Sequence, residues 1–554
     1  MISRDNNAML TPLYTRREAL KLTGASLAGS VLSVGSAAEP GSSTIPGLVA
    51  GQAKGSEVGN EILRRGGNAI DAAVAAALTA AVAAPQQCGI GGYGGHMMIA
   101  LAPGKKITAI DFNSAAPAAA RPEMFAPDAE GKVPGQINEY GWLAAGVPGA
   151  LAGLHLALTR YGTRSFRELA VPAIELAREG FAVTEGLARS IRGVAGQLRK
   201  DAASMELLFR NREPLAAGET LRNPDLAKML EQLARDNSVE SFYQGDIAKQ
   251  IAEEFRKHGG LVTTKDLADY KAREVTPLDF GWNGFSIRAA PLTAGGLTVL
   301  EALAILKALG WGQFPADGTR SQALVEALRI SWHDRLSLLG DPEKSAVPME
   351  RLLSAKYAQA MASTVRRSLS ARQPLPFETE PRLHTGTVHL NCADARGNMV
   401  ALTLTHGNSF GACVTVQGLG LTLGHGMSRF DPFPSHPNAP GPGKRPLHNM
   451  CPALLLRDGR PVLALGGTGG RLIPSAVFNV LSRLMALSES IEEAVAAPRL
   501  HTEGNLNITV EKNWPEAELD YLKNAGYKLK SGGSATVHVL SRDLLTGACR
   551  VNAR

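Results

Sequence analysis

Gly386 and Thr387 are the neighbours in this chain best placed for covalent chemistry. They lie in the stretch His384-Thr385-Gly386-Thr387-Val388-His389-Leu390-Asn391-Cys392-Ala393-Asp394. If the peptide bond between them breaks during maturation, Thr387 carries a hydroxyl and a free α-amino group side by side. The amine supplies the base that a lone threonine lacks, which is one route to an activated nucleophile. An α-amine titrates at about 7.7–8.0, so a good fraction is neutral near pH 7. Glycine before the bond admits backbone angles closed to residues with a Cβ. The cleavage pair is therefore Gly386 and Thr387, with Thr387 the nucleophile. A threonine after a glycine at a strand start is more often structural, so the reading depends on the surrounding chain.

The elements that must hold this pair follow from periodicity. Residues 57–66 read as a short amphipathic helix closed by Gly66-Gly67. Asn68 caps a second helix from Ala69 to about Ala84, almost all Ala, Val and Leu and so expected in the core. Pro85 stops it. The Gly-rich Gly89 to His96 then leads into a strand, Met97 to Leu101. A dinucleotide fingerprint runs the other way, strand before helix, so nucleotide binding is rejected. From Gly146 to about Arg335 the pattern is mainly helical, with a strand near Phe280 to Ala290 and helices at 297–309 and 320–338. Between about Ser368 and Leu383 the chain turns to Arg, Pro, Glu and Ser and reads as an exposed linker to the cleavage point. Beyond Thr387 the texture is β: Val388 to Asp394, Met399 to Thr405, Val414 to Leu423, Ala453 to Leu456 and Val462 to Leu465. Gly397-Asn398 reads as a hairpin turn, Gly424 to Met427 as a loop, and Pro432 to Arg445 as cover for a pocket edge.

With 554 residues the chain is too long for one small core. It is 44% hydrophobic and 20% charged, which excludes large-scale disorder. A net charge of +7 is modest for this length, and no Lys/Arg cluster is dense enough for a nucleic-acid surface. The five cysteines (Cys88, Cys392, Cys413, Cys451, Cys549) fit no metal or disulfide spacing, and Cys392 and Cys451 read as buried fillers. No metal and no cofactor is called for. Arg16-Arg17 precede a weakly apolar run from Leu22 to Gly35 that ends at Ser36-Ala37-Ala38. This matches a twin-arginine export signal over residues 1–38. The run is too short and polar for a permanent membrane anchor. The expected location is the periplasm or beyond.

Taken together these residues resemble the γ-glutamyltransferase family of N-terminal nucleophile hydrolases. The resemblance runs over about residues 45–550. It is carried by Gly66-Gly67-Asn68-Ala69-Ile70-Asp71-Ala72, Gly89-Ile90-Gly91-Gly92, Gly146-Val147-Pro148-Gly149 and Phe242-Tyr243-Gln244-Gly245. Asp334-Arg335, Gly340-Asp341-Pro342, Thr387-Val388-His389, Lys444-Arg445-Pro446, Gly469-Gly470 and Pro498-Arg499 add to it. The resemblance implies an α+β fold, an αββα four-layer sandwich with a helix-rich large-subunit lobe. It implies autocatalytic cleavage into a large subunit, residues 45–386, and a small subunit, residues 387–554, that stay together as a heterodimer. Thr405 matches the second threonine, which hydrogen-bonds the nucleophile. Gly469 and Gly470 match the glycines of the oxyanion hole, where successive backbone N–H groups form an anion-binding concavity.

The departures concern substrate recognition. The arginine that grips the glutamyl α-carboxylate falls on Asn113, and the aspartate that pairs with its α-amine falls on Arg429. The neighbouring glutamine falls on Gly426, an asparagine on Gly407, and the paired serines on His448 and Asn449. An arginine repels an ammonium group. The favoured reading is an exported amidohydrolase or acyltransferase working on a small amide. Its acyl group is anionic and lacks the glutamyl amine, with Arg429, His425 and His448 as candidate carboxylate ligands. Against this, Arg429 facing solvent and His448 as a satisfied core histidine are the bland readings. Two other functions stay open: a γ-glutamyl enzyme acting on glutathione-like compounds, and a non-catalytic binding protein of the same fold.

Overall fold

The computed structural model describes residues 47–102, 106–377, 379 and 386–554. The export segment 1–38 and residues 380–385 of the stretch before the cleavage pair lie outside them. The chain folds as four layers. Two six-stranded antiparallel sheets face each other. The first runs in the order Leu48–Ala50, Val388–Ala393, Met399–Thr405, Gly94–Leu101, Lys106–Asp111, Arg273–Val275. The second runs Cys549–Ala553, Thr536–Arg542, Arg460–Thr468, Ala453–Arg457, Phe285–Ala289, Leu278–Trp282. Between them lies a layer that includes Met98, Met399, Ala401, Leu454 and Leu540. The central strands are buried on both faces and read as continuous apolar runs rather than alternating ones.

Helices cover both outer faces. On one side Ala69–Ala83 is buried along nearly its whole length, as its composition predicts, and starts with a capping box between Asn68 and Asp71. It packs with Phe166–Glu179 and Pro224–Asp236 in one core. On the other side Gly296–Leu309, Gly318–Leu338 and Leu472–Ser482 form a second. This is the αββα arrangement that the resemblance implies.

Three local readings differ. The first helix is Ala53–Arg64 rather than 57–66, because the Gln52 side chain accepts the Gly55 N–H at 2.7 Å and starts it early. The run Val414 to Leu423 is not one strand but a tight hairpin, Thr415–Val416 against Leu421–Thr422, turned at Gly418 and Gly420 with positive φ. The segment from Ser368 is not an exposed linker over its described part. It starts inside the helix Ala355–Ala371, Leu375 is buried, and Arg329 donates to the carbonyls of Leu375 and Phe377. A buried arginine needs acceptors, and the polar chain supplies them through its backbone.

Candidate active site

Register places the site. Val388 pairs with Leu404, Thr405 with Gly94, and His96 with Asp111. The neighbouring residues Thr387, Thr405, Gly94 and Asn113 therefore form a row across one end of the first sheet. The row needs a glycine at its centre. Gly94 has φ of +122°, and a Cβ there would come within 1.9 Å of the Phe112 carbonyl oxygen.

Thr387 and Thr405 are both buried. The Thr405 hydroxyl donates to the Gly386 carbonyl oxygen at 2.7 Å, and the Thr387 hydroxyl donates to the same oxygen. The two threonine oxygens are 3.5 Å apart. The Gly407 N–H donates to Thr405 Oγ1 at 2.8 Å and fixes that hydroxyl. The carbonyl preceding Thr387 is thus held by two hydroxyls, one belonging to the candidate nucleophile. Gly469 and Gly470 stand where the strand Arg460–Thr468 gives way to the helix Leu472–Ser482, with φ of +139° and +59°. This strand packs on the nucleophile strand, since a Cβ on Gly466 would meet the His389 ring at 2.2 Å.

Arg429 closes a short turn, Gly426–Arg429. Its Nη2 lies 3.5 Å from His425 Nε2, while its Nε and Nη1 are buried and make no hydrogen bond. Among the described residues no carboxylate pairs with it. It lines a cavity of about 310 Å³ shared with Arg335, Arg471, Asn449 and Ser428. Its Nη2 is 3.3 Å from where a Cβ on Gly407 would lie. Arg429 therefore faces inward beside the Thr405 loop and not toward bulk solvent.

The other expected residues sort themselves by their partners. His425 does not offer an imidazole to the cavity. Its Nε2 accepts the Asn408 N–H at 2.8 Å and its Nδ1 donates to the Glu139 carbonyl at 3.2 Å. Its role is bracing. It also explains Gly407, whose Cβ would fall 2.0 Å from this ring. The Asn113 amide nitrogen donates to Thr293 Oγ1 at 3.0 Å and the Pro446 carbonyl at 2.7 Å, so only its side-chain oxygen is uncommitted. His448 is buried, both its ring nitrogens lack partners, and it lies 4.8 Å from the His96 ring. It is not a satisfied core histidine. Burial first, then His96, Arg335 and Arg429, hold its pKa well below the usual imidazole value, so it is neutral at pH 7. Burial likewise pushes His96 down to about 4. Burial alone would raise Asp111, but Arg445, His96 and Arg273 hold it well below the usual carboxylate range. Asn449 Oδ1 lies 3.5 Å from Arg335 Nη2. Arg335 itself, brought down to about 10 by burial and by Arg471, was not singled out for a role by the sequence. Neither was Arg471. Only the position of Arg471, next to Gly470, could have flagged it.

The gamma-glutamyltranspeptidase family model matches residues 55–549. The glutathione hydrolase proenzyme of Escherichia coli (strain K12) is 34% identical over 94% of each chain. The acylase ACY 1 proenzyme of Pseudomonas sp. (strain SE83) is 34% identical over 89% of each. Among solved structures, the cephalosporin acylase of Bacillus halodurans superposes with a TM-score of 0.83 at 27% identity, covering 96% of this chain and 98% of that one. The chain belongs to the gamma-glutamyltranspeptidase family. It is an N-terminal threonine amidohydrolase or acyltransferase of that family, and the binding-protein reading falls away. Proenzyme names and a shared fold fit a processed, two-subunit enzyme acting on small molecules.

Proposed function

We propose that the chain cleaves itself between Gly386 and Thr387 and then hydrolyses, or transfers the acyl group of, a small amide whose acyl end is anionic and lacks an α-amine. In maturation Thr387 Oγ1 attacks the Gly386 carbonyl carbon and the C–N bond breaks. Water then hydrolyses the ester, leaving a Gly386 carboxylate and a free Thr387 amine. The Thr405 hydroxyl, already on the Gly386 oxygen, supports the charge that develops there. In turnover Thr387 attacks the substrate carbonyl and its proton passes to the α-amine. That proton leaves with the departing amine, and water or a second amine takes the acyl group. Thr405 orients the nucleophile. The Gly469 and Gly470 N–H groups receive the oxyanion.

The observation that carries the specificity is Arg429. A guanidinium with two unpartnered nitrogens, in a cavity it shares with Arg335 and Arg471, favours a carboxylate and disfavours an ammonium. Asn449 adds a polar side chain to that lining, whereas His448 and Asn113 are buried and are not among its residues. Gly407 leaves the space that the guanidinium and the His425 ring fill. Glutaryl amides fit this description. The acylase names among its relatives agree with an acyl group other than γ-glutamyl. The glutathione hydrolase names support the other reading, a γ-glutamyl enzyme in which Arg429 meets only the α-carboxylate. A panel of glutaryl, oxamyl and γ-glutamyl amides, read by amine release, separates the two.

Export through the twin-arginine route is part of the same proposal, with residues 1–38 as signal, 45–386 as large subunit and 387–554 as small subunit. Among the described residues no helix is long and apolar enough to cross a membrane. Changing Arg16 and Arg17 together to Lys is expected to leave precursor in the cytoplasm. Unchanged export of that variant would remove the twin-arginine assignment.

A further inference from the structure

A second, open cleft of about 550 Å³ adjoins the arginine cavity and is lined by Lys132, Gln136, Asn138, Glu139, Ser428 and Pro432, among others. Ser428 lines both spaces. It is only 6% exposed, and its Oγ is buried without a hydrogen-bond partner. The other part of the divide is Gly407-Asn408. Gly407 lies beside Arg429, while Asn408 Nδ2 donates to Glu139 Oε2 at 3.3 Å on the cleft side. Gly407 is also the residue whose N–H fixes the Thr405 hydroxyl. Through Gly407 the reacting pair Thr387 and Thr405 is tied to the divide between the arginine-lined cavity, which also carries Asp431, and this cleft. The far wall is a defined surface. The loop closes on itself through Asp128, whose N–H donates to the Lys132 carbonyl at 2.8 Å and whose Oδ1 accepts the Lys132 N–H at 2.8 Å.

We propose that this cleft is the site of the leaving amine, and that Ser428 Oγ hydrogen-bonds a polar substituent of that amine as it crosses from one space to the other. The inference rests on the proposed function in taking Thr387 as nucleophile and the arginine cavity as the acyl side. An uncompensated buried hydroxyl is costly, and a polar group arriving with the substrate satisfies it. The lining sets carboxylate, amide and ammonium groups beside Val133, Pro134 and Pro432. With Ser428 Oγ unpartnered, these polar groups favour a leaving amine that carries a hydroxyl or amide over ammonia. Ser428 is a specificity residue in this account, for it meets the leaving group and not the acyl end.

The test uses the mature protein, Ser428→Ala and, as a second variant on the opposite wall, Asn138→Ala. Three leaving groups are compared on each of two acyl groups: ammonia, p-nitroaniline and serinamide, as glutaryl and as γ-glutamyl amides. Appearance of two chains on a denaturing gel shows that each variant folds and matures. In whichever acyl series the wild type turns over, the ratio of kcat/KM for the serinamide to that for the primary amide is expected to exceed one. Ser428→Ala should lower that ratio about 3- to 10-fold, the size of one net hydrogen bond. Asn138→Ala should lower it in the same direction. A ratio unchanged in both variants, or a wild-type ratio at or below one, overturns the assignment. Using both acyl series keeps an error about Arg429 separate from an error about the cleft.

Discussion

At the scale of single residues, the account rests on a few hydrogen bonds. Thr387→Ala removes the nucleophile while leaving the fold's packing almost untouched, so the protein should stay a single chain by intact mass spectrometry. Thr387→Ser keeps hydroxyl and amine and should still yield two chains. Thr405→Val removes the hydroxyl that donates to the Gly386 carbonyl and leaves the Gly407 N–H unpaired. Loss of one preorganised oxyanion donor costs about 10²–10³ in rate, so self-cleavage of this variant should slow on that order, followed by the appearance of the small chain on a gel. Wild-type cleavage kinetics in Thr405→Val would show that this hydroxyl does not serve the reaction. Thr387 and Thr405 were legible as candidates in the sequence because the motif around them is dense, and the fold brings both hydroxyls to the Gly386 carbonyl. Arg429, His448 and Asn449 were legible only as departures from a pattern, and their surroundings were not. That His425 braces Asn408, and so excludes any side chain at position 407, depends on distances between segments far apart in the chain.

At the scale of elements, three helices on the outer face of the second sheet bury a carboxyl that no motif announces. Glu301 on Gly296–Leu309 is 1% exposed and neither oxygen has a hydrogen bond. Asp334 on Gly318–Leu338 lies close by and accepts from the Tyr357 hydroxyl on Ala355–Ala371. Burial first, and Asp334 second, raise the Glu301 pKa well above the ordinary value. The sign follows. Below the unfolded carboxyl pKa of about 4.3 both states are protonated and nothing is lost. As pH climbs above it the unfolded chain releases a proton that the folded chain keeps, so stability falls until the folded pKa is reached. Glu301→Gln is neutral at every pH and removes this slope. Its melting temperature should match wild type near pH 4 and exceed it at pH 8 by roughly 2 °C or more, measured by differential scanning fluorimetry. Equal melting temperatures at both pH values would mean that Glu301 is solvated or paired. Periodicity had located two of these helices, at 297–309 and 320–338, within a few residues, and not Ala355–Ala371. It could not show a carboxylate turned inward, because one Glu in fourteen helical positions leaves the pattern unchanged.

At the scale of the whole molecule, the proposed cleavage between Gly386 and Thr387 would divide the chain but not the fold. Both sheets join strands from before Gly386 to strands from after Thr387: Leu48–Ala50 pairs with Val388–Ala393, Met399–Thr405 with Gly94–Leu101, and Phe285–Ala289 with Ala453–Arg457. Both helical cores also draw on the two pieces. Breaking one peptide bond therefore leaves every one of these ladders in place. The mature protein should elute as one species in size-exclusion chromatography under native conditions and resolve into two chains only in denaturant. Separation without denaturant would contradict the interleaved sheets. The four layers were legible because the family motifs span nearly the whole chain. The placing of two cavities on either side of one wall was not, since it arises from loops at 128–139, 407–408 and 426–429 that meet only in the folded protein.

The central claim is that the acyl site reads a carboxylate and rejects an α-ammonium, and it is tested most directly by one ratio. The kcat/KM of the mature protein is measured for glutaryl-p-nitroanilide and for γ-glutamyl-p-nitroanilide, which differ only in that amine and share a leaving group. Placing an ammonium beside the Arg429 guanidinium should cost several kcal/mol, on the scale of about 2–5 for an uncompensated buried charge. At tenfold per about 1.4 kcal/mol, the glutaryl compound should be favoured by at least ~30-fold. A ratio near one, or a preference for the γ-glutamyl compound, would contradict the account and assign Arg429 to the α-carboxylate of an ordinary γ-glutamyl substrate.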